Sequence, residues 1–556
     1  MEKYIELSNL MFPEVTKTVE DLETQYPKRN IEGAVTRFAP SPTGFLHTGA
    51  LFTSLVNKKI ADQTNGIFYL RIEDTDKKRE VDGSVTLLTS EMKKFGIVPN
   101  EGVMSDTEEV GNYGPYTQSK REEIYHICAK HLISKGLAYP CFCSSEMLSV
   151  TREMQEKNKQ MSGYYGIYAR CRNISVEEMI EKVKSGEKYI LRMKSSGSHL
   201  KKVSFVDLIR GKIDIAENDQ DIVIIKSDNL PTYHFAHIVD DHFMRTTHVM
   251  RGEEWIPSVP IHLELFEKMG FELPKFAHFP TMMVQDGVSK RKLSKRKDKE
   301  AAVSFFLNNG YPVEAVLEYL LSVINSDFEP WRMKNPDKDL FDFTIRLEKM
   351  NSAGALFDMF KLSDISKEYI SKLTSKDLLD KILIWSKEYN TEIFDLLNID
   401  LDLSLKMLGI ERDNVKKIRK DLVKFEDILT GFIYFFEEKF KEDIQTEYNF
   451  EYTDKITKEL VKQVLNKYLE IYNHNDDKQL WFDRVKETAN SLEFCTDMKE
   501  YKLNPEKYIG SVSDIAGIIR IGITNRKNTP DIYAIMQVLG ESKVKSRINN
   551  CISYLI

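Results

Sequence analysis

Apolar positions change their period along this chain, and the changes mark its elements. Ala34-Val35-Thr36-Arg37-Phe38-Ala39 is short, strand-prone and closed by Pro40. Pro40-Ser41-Pro42-Thr43-Gly44 is too rich in proline for a helix or a central strand. From Thr48 to about residue 65 the period turns helical, with Phe52, Val56 and Ile60 recurring every fourth residue and Leu51 and Leu55 beside them. Gly66 is the expected helix cap. Ile67-Phe68-Tyr69-Leu70-Arg71-Ile72 is then nearly continuously apolar, as in strands buried on both faces of a parallel sheet. Residues 34–72 therefore predict a β–loop–α–β unit with a right-handed crossover, the opening of a doubly wound fold.

Before this unit, residues 1–30 predict a polar extension with one amphipathic helix near 15–26. After it, residues 139–225 lose the α/β rhythm and read as an insertion: a cysteine pair, a lysine-rich helix around 146–162, and strand-like pieces at 188–193 and 202–207. Parallel-sheet character returns at 221–226, followed by a turn at 227–231, a short helix from Thr232 and a strand at 247–251. Beyond about 303, amphipathic helices of roughly 10–25 residues follow one another, broken near 327–337, 391–402 and 501–510. The predicted fold is an α/β amino-terminal half, a doubly wound parallel sheet of Rossmann type carrying an insertion, then an all-α carboxyl-terminal region.

Composition narrows the function classes. The 30 Phe, 25 Tyr and 4 Trp supply ample core material and argue against disorder. A net charge of −7 gives no overall positive field, so a nucleic-acid partner has to be held by local basic patches. Six cysteines in 556 residues are too few for a disulfide scaffold and fit a reducing compartment. No signal-peptide pattern opens the chain, and no run approaches the roughly 20 apolar residues that span a bilayer. A cytoplasmic, soluble protein without a membrane partner is expected.

Three elements carry candidate chemistry. Pro42-Thr43-Gly44-Phe45-Leu46-His47-Thr48-Gly49 lies between a strand and a helix, where free N–H groups suit phosphate and a histidine can donate to phosphate oxygens. The alternative there is a turn with an incidental surface histidine. Residues 290–299 hold seven basic side chains, a loop able to clamp a polyphosphate or, alternatively, a solvated face. Arg71-Ile72-Glu73-Asp74-Thr75-Asp76 follows the second strand at its carboxyl end, where ligands sit in open parallel sheets.

Together the three resemble a class I aminoacyl-tRNA synthetase, the first matching its His-x-Gly-His signature and Lys292-Leu293-Ser294-Lys295-Arg296 its Lys-Met-Ser-Lys-Ser signature. More narrowly, residues 36–44 and 70–76, Leu230-Pro231-Thr232-Tyr233-His234-Phe235-Ala236, Val239-Asp240-Asp241 and residues 247–255 resemble bacterial glutamyl-tRNA synthetases. The likeness is detailed over 34–360 and weaker beyond. It implies ATP-dependent activation of L-glutamate to glutamyl-adenylate, with Mg²⁺ on the triphosphate, and transfer to the 3′ end of tRNA for glutamate. Whether tRNA for glutamine is also charged stays open. A monomer is the family default.

The resemblance also implies roles. Arg37 and Arg251 would hold the two substrate carboxylates, Glu73 would face the ammonium with Ser41 nearby, and Tyr233 and His237 would line the amino-acid pocket. His47 and Gly49 would cradle ATP, and Glu254 and Trp255 would approach its ribose and adenine. Lys292, Ser294 and Lys295 would bind ATP, with His47, Lys292 and Lys295 acting on the phosphates. Each has a structural alternative: Tyr233 and Trp255 as core, Arg251 as an ion-pair partner. The implied organisation is an extension at 1–30, a catalytic domain at 31–138 and 221–275, and an inserted acceptor-stem-binding domain at 139–220. A stem-contact region at 276–360 and an anticodon-binding region of two subdomains at 361–556 would follow, with basic helices such as 416–420 tracking phosphates.

The chain departs from the pattern in places. Ala50 replaces the second signature histidine, and Lys297-Asp298-Lys299 replaces an expected His-Gly, a change read as affecting loop mobility. Some relatives bind zinc in the insertion through Cys-x-Cys and Cys-x-His. Here Cys141, Cys143 and Cys171 are present, but the fourth position is Asn173, a poor zinc ligand, with Tyr168 or water as substitutes. Zinc binding and a small packed cysteine cluster both remain open. Cys128, Cys495 and Cys551 read as buried. A glutaminyl-tRNA synthetase, a stand-alone enzyme glutamylating a tRNA base and a non-catalytic paralogue are the rival readings. The first lacks its motifs here, the second lacks a helical carboxyl-terminal region, and the third is opposed by His47, Lys292 and Lys295.

Overall fold

The unit read at 34–72 forms. In the structure, a computed structural model that describes residues 1–76, 81–294, 296–352, 354–413, 415–416, 418–445 and 447–555, β1 (Val35–Phe38) and β2 (Ile67–Leu70) run parallel in register. The helix Thr48–Gln63 joins them and buries Leu51, Phe52, Leu55, Val56 and Ile60. Its end differs from expectation. Asn65, not Gly66, takes the left-handed conformation, at φ 55°, which asparagine tolerates. Gly66 is required for a different reason: a Cβ there would fall 2.0 Å from the Ala34 carbonyl oxygen. β3 (Glu101–Val103) continues the sheet in parallel beside β2, and β4 (Glu109–Val110) closes it antiparallel.

The chain folds as two compact units, Met1–Phe305 with Leu317–Asp358, and Phe306–Val316 with Met359–Ile556. In the first unit, β5 (Ala138–Cys141) and β6 (Ile190–Met193) pair antiparallel. β7 (Lys202–Asp207) and β8 (Gly211–Ala216) form a hairpin. β9 (Val223–Ile225) corrects the parallel reading at 221–226, because it pairs antiparallel with β6. A short run buried on both faces looks alike in either direction, so periodicity does not encode strand orientation. β10 (His248–Gly252) and β11 (Lys275–Phe279) are parallel, with Arg251 beside His278. Phe276 on β11 meets Asp207 on β7, which joins the hairpin to this sheet. The Thr247 N–H donates to the Val35 carbonyl at 3.0 Å and sets β10 beside β1. β12 (Met282–Asp286) and β13 (Ser289–Lys292) form a second hairpin, with Gly287 at φ 60° in its turn, and β14 (Ala355–Leu356) pairs parallel with β12. Residues 289–292, expected as loop, are therefore strand.

The extension holds two helices rather than one, Glu2–Met11 and Val19–Gln25, the second capped reciprocally by Thr18 and Asp21. Leu7, Met11, Leu22 and Tyr26 are buried in one cluster with Ile124, Tyr125, Cys128 and Leu132 of the helix Glu122–Ser134.

From Met359 onward the second unit is built of helices around one continuous core that includes Ile382, Leu397, Val464, Tyr468, Ile519 and Ile548. The break expected at 391–402 is two helices, Thr391–Ile399 and Leu401–Gly409, each begun by a capping side chain, Asn390 and Asp400. Side-chain caps let a helix restart without proline or glycine. The basic helix expected at 416–420 does not form among its described residues; Arg419 pairs with Asp421 at 2.6 Å and Lys420 with Glu368. Lys417 lies outside the described residues. Cys128, Cys495 and Cys551 are buried, as expected. No described helix is long and apolar enough to cross a membrane.

Candidate active site

Strands β1, β2, β10 and β11 all end at one cavity of about 610 Å³, where open parallel sheets hold ligands. Arg37 and Ser41 reach it from β1, Glu73 from β2, Arg251, Glu254 and Trp255 from β10, and Thr281 from β11. Tyr233 enters from the helix Tyr233–Phe243, and His47 and Gly49 from the start of Thr48–Gln63. Lys292 lines the same cavity from β13. Ser294 and His237 do not line it. Lys295 lies outside the described residues.

One end of the cavity is a buried charge network. Asp241 accepts from Arg37 Nε at 3.2 Å and from Arg71 Nη1 at 2.7 Å. Arg71 Nη2 also donates to Glu73 at 3.0 Å. Burial raises the Glu73 carboxyl even against the pull of Arg71 and Arg37. Asp240 is held by Arg121 at 2.6 Å, Gln118 and Tyr125, and its Oδ2 lies 3.8 Å from Arg71 Nε.

Arg251 is the exception. It is buried, and among the described residues its hydrogen-bond acceptors are all neutral: the Tyr233 hydroxyl at 3.2 Å, His237 Nε2 at 3.2 Å, His262 Nδ1 at 3.1 Å and His278 Nε2 at 3.3 Å. Burial, reinforced by Arg251, pushes His234 down to about 4 and His262 well below its ordinary value; burial also pushes His237 down to about 3, against the pull of Asp241. In this buried network Arg37, Arg71, Arg121 and Arg251 stand against Asp240, Asp241 and Glu73, four positive charges against three negative, and one positive charge is left over. A buried cation without a counter-ion costs on the order of several kcal/mol, so the pocket is built for an anion. His262 and His278 were not among the candidate residues read from sequence. The available signal was a polar side chain interrupting each of two otherwise apolar runs.

The opposite end suits phosphate. His47 caps the helix Thr48–Gln63, its Nδ1 accepting the Gly49 N–H at 3.0 Å. The ring proton of the neutral form therefore sits on Nε2. The Thr48 hydroxyl donates to the Glu300 carbonyl at 2.7 Å and Val303 N–H to Leu46 oxygen at 3.0 Å, which ties this turn to the segment that follows the basic loop. Inside that loop Asp298 accepts two bonds of 2.6 Å from Arg291 and one of 2.8 Å from Ser294 N–H. The substitution at 297–299 thus supplies the loop with an internal anchor. Trp255 stacks on Tyr233 with ring centroids 4.2 Å apart, and Glu254 lies 3.9 Å from Lys292.

The insertion brings Cys141, Cys143 and Cys171 within 4.8 Å of one another. Tyr164, rather than Tyr168, is the candidate fourth donor. Its hydroxyl lies 3.3 Å from the sulfurs of Cys141 and Cys143 and accepts the Cys171 N–H at 3.0 Å. Tyr168 points instead to Gln160. Four donors about 2.3 Å from a tetrahedral ion lie roughly 3.7 Å apart, and Cys143 and Cys171 are separated by 3.7 Å. The set fits zinc.

Residues 34–328 match the family model for the catalytic domain of class I tRNA synthetases (E and Q). The chain is 49% identical to the glutamate–tRNA ligase of Clostridium perfringens (strain 13 / Type A), covering 98% of this chain and 100% of that protein. It is 46% identical to that of Clostridium beijerinckii, covering 98% of each. A crystal structure of a glutamate tRNA ligase from Elizabethkingia meningosepticum in complex with its amino acid is similar with a TM-score of 0.72, at 25% identity over 94% of this chain and 100% of that one.

Proposed function

The chain belongs to the class I tRNA synthetases for glutamate and glutamine, and among them to the glutamate–tRNA ligases; from that premise we propose how its residues do the work. The reaction activates L-glutamate with ATP and transfers it to tRNA. The observation that carries the residue assignment is the uncompensated positive charge at Arg251. Glutamate brings two carboxylates and one ammonium, a net charge of −1 that balances the pocket. Arg251 and Arg37 take the carboxylates, since a guanidinium is a permanently charged donor for them. Glu73, with Ser41 beside it, takes the ammonium, which favours the ionised carboxylate that burial alone opposes. Tyr233 closes the pocket, and His237 holds Arg251 from behind.

The α-carboxylate oxygen attacks the α-phosphorus, and the bond to pyrophosphate breaks. A ribose hydroxyl of the terminal adenosine then attacks the mixed anhydride and releases AMP. No protein nucleophile is needed; the protein supplies position and charge. The Nε2–H of His47 points a donor at the phosphates, Gly49 leaves room for them, and Lys292, Ser294 and Lys295 steady the leaving pyrophosphate. Glu254 and Trp255 face the nucleoside. Mg²⁺ accompanies the triphosphate. Cys141, Cys143, Cys171 and Tyr164 would hold a structural zinc in the insertion. We read residues 139–220 as meeting the acceptor stem and 361–556 as reading the anticodon by stacking and base-edge contacts, in a cytoplasmic monomer. Competition assays test the pocket: excess glutamine should leave charging with labelled glutamate within about two-fold of control. Strong inhibition by glutamine would contradict the carboxylate assignment.

A further inference from the structure

Asp207 ends β7 in the insertion, yet its carboxylate reaches toward the amino-acid site. Oδ1 accepts the N–H groups of Ile209 at 2.9 Å and Arg210 at 3.0 Å, closing the turn into β8. Oδ2 accepts the His278 N–H at 3.0 Å and lies 2.7 Å from His278 Nδ1. Both side chains are fully buried. A carboxylate only accepts, so the His278 proton sits on Nδ1 and the lone pair on Nε2. That lone pair faces Arg251 Nε at 3.3 Å, across the pairing of β10 with β11.

We propose that Asp207 is a positioning residue for the amino-acid pocket: through His278 it fixes the plane of Arg251 and the direction of its one N–H that has no acceptor among the described residues. This rests on reading Arg251 as a ligand of a glutamate carboxylate. The chemistry explains why a histidine stands between the two. A carboxylate touching Arg251 directly would neutralise it and compete with the substrate. A neutral imidazole supplies an acceptor without charge, and the carboxylate behind it sets its tautomer, as outer partners do for catalytic and metal-binding histidines. Four of the five Arg251 N–H groups have protein acceptors of this neutral kind, and the fifth, on Nη2, has none among the described residues. The same turn is tied to the pocket twice more. Arg210 donates to the His278 carbonyl at 3.4 Å and pairs with Glu253, whose other oxygen accepts the N–H of the cavity residue Thr281 at 2.7 Å.

Asp207→Asn separates positioning from folding. The amide oxygen keeps the Ile209 and Arg210 bonds, but the amide N–H₂ faces His278, where it gives up the bond from the backbone N–H and forces the ring proton onto Nε2, against Arg251. With tRNA saturating, the glutamate KM should rise about 10- to 100-fold, while the ATP KM stays within about two-fold and kcat within about three-fold. The ¹⁵N resonances of His278 should exchange their protonated and unprotonated signatures. His278→Gln, which offers a donor and an acceptor on one plane, should restore most of the glutamate KM, and His278→Leu should behave like Asp207→Asn. An unchanged glutamate KM in folded Asp207→Asn overturns the proposal; if that variant does not fold, an unchanged KM in His278→Leu does. Arg251→Gln in parallel keeps the two failures apart: if it too leaves the KM unchanged, the pocket assignment itself falls.

Discussion

Arg251 Nη1 donates to His237 Nε2 at 3.2 Å, and the far nitrogen of that ring lies 2.8 Å from Asp241. Arg37 contacts the same Asp241 directly. Asp241 thus meets Arg37 face to face, as it does Arg71, and Arg251 only through a neutral ring, which leaves Arg251 free to bind an anion. Arg251→Gln should therefore raise the glutamate KM by about two orders of magnitude, because a buried charge-assisted pair is lost. The ATP KM should stay nearly unchanged. Steady-state charging at varied glutamate measures this, and an unaltered KM would refute the role.

Acid should loosen the first unit. The folded pKa values of His234, His237 and His262 lie below the ordinary histidine value, so between about pH 6.5 and pH 4 the unfolded chain binds protons that the folded one does not. Stability is full above that window and falls as pH drops through it, by about 1.4 kcal/mol per pH unit for each such proton. Glu73, raised in the fold, opposes this with at most one proton. Urea midpoints at pH 7.5 and 5.0 test it, and equal midpoints would count against a neutral histidine cage.

Asp298 should matter for the basic loop. Its hydrogen bonds from Arg291 hold its carboxyl down to about 2, so it stays ionised throughout the working range. Asp298→Asn weakens the anchor on Arg291 and Ser294 and should lower the rate of adenylate formation about ten-fold, with the glutamate KM unaffected. Lys295→Ala should cost about two orders or more with the fold intact. Rapid quench with tRNA present reads both, and near-wild-type rates would remove these roles.

The insertion should carry about one zinc per chain. Cys143→Ser should lose it, and Tyr164→Phe should hold it less tightly against a chelator. Elemental analysis that finds no zinc in freshly purified protein, with three reactive thiols, would favour a plain cysteine cluster.

Local sequence carried a good part of this. The strand–turn–helix at 34–63 was legible because proline, helical spacing and an apolar strand agree. Ten of the candidate residues named from motifs meet in one cavity, since those motifs follow strand ends or helix starts. What local pattern does not hold is pairing. The direction of β9, the approach of Gly66 to Ala34 and the choice of Tyr164 over Tyr168 depend on residues distant in the chain. His262 and His278 look like isolated polar residues in apolar runs, and only the crossing of β10, β11 and the helix Val259–Met269 turns them into acceptors for Arg251.

Aminoacylation of purified tRNA for glutamate and, separately, tRNA for glutamine, with labelled glutamate and ATP, is the most direct test. Charging of tRNA for glutamate is the predicted result; charging of tRNA for glutamine as well would mark a non-discriminating enzyme. Active, folded protein that charges neither would contradict the ligase and point to a non-catalytic paralogue.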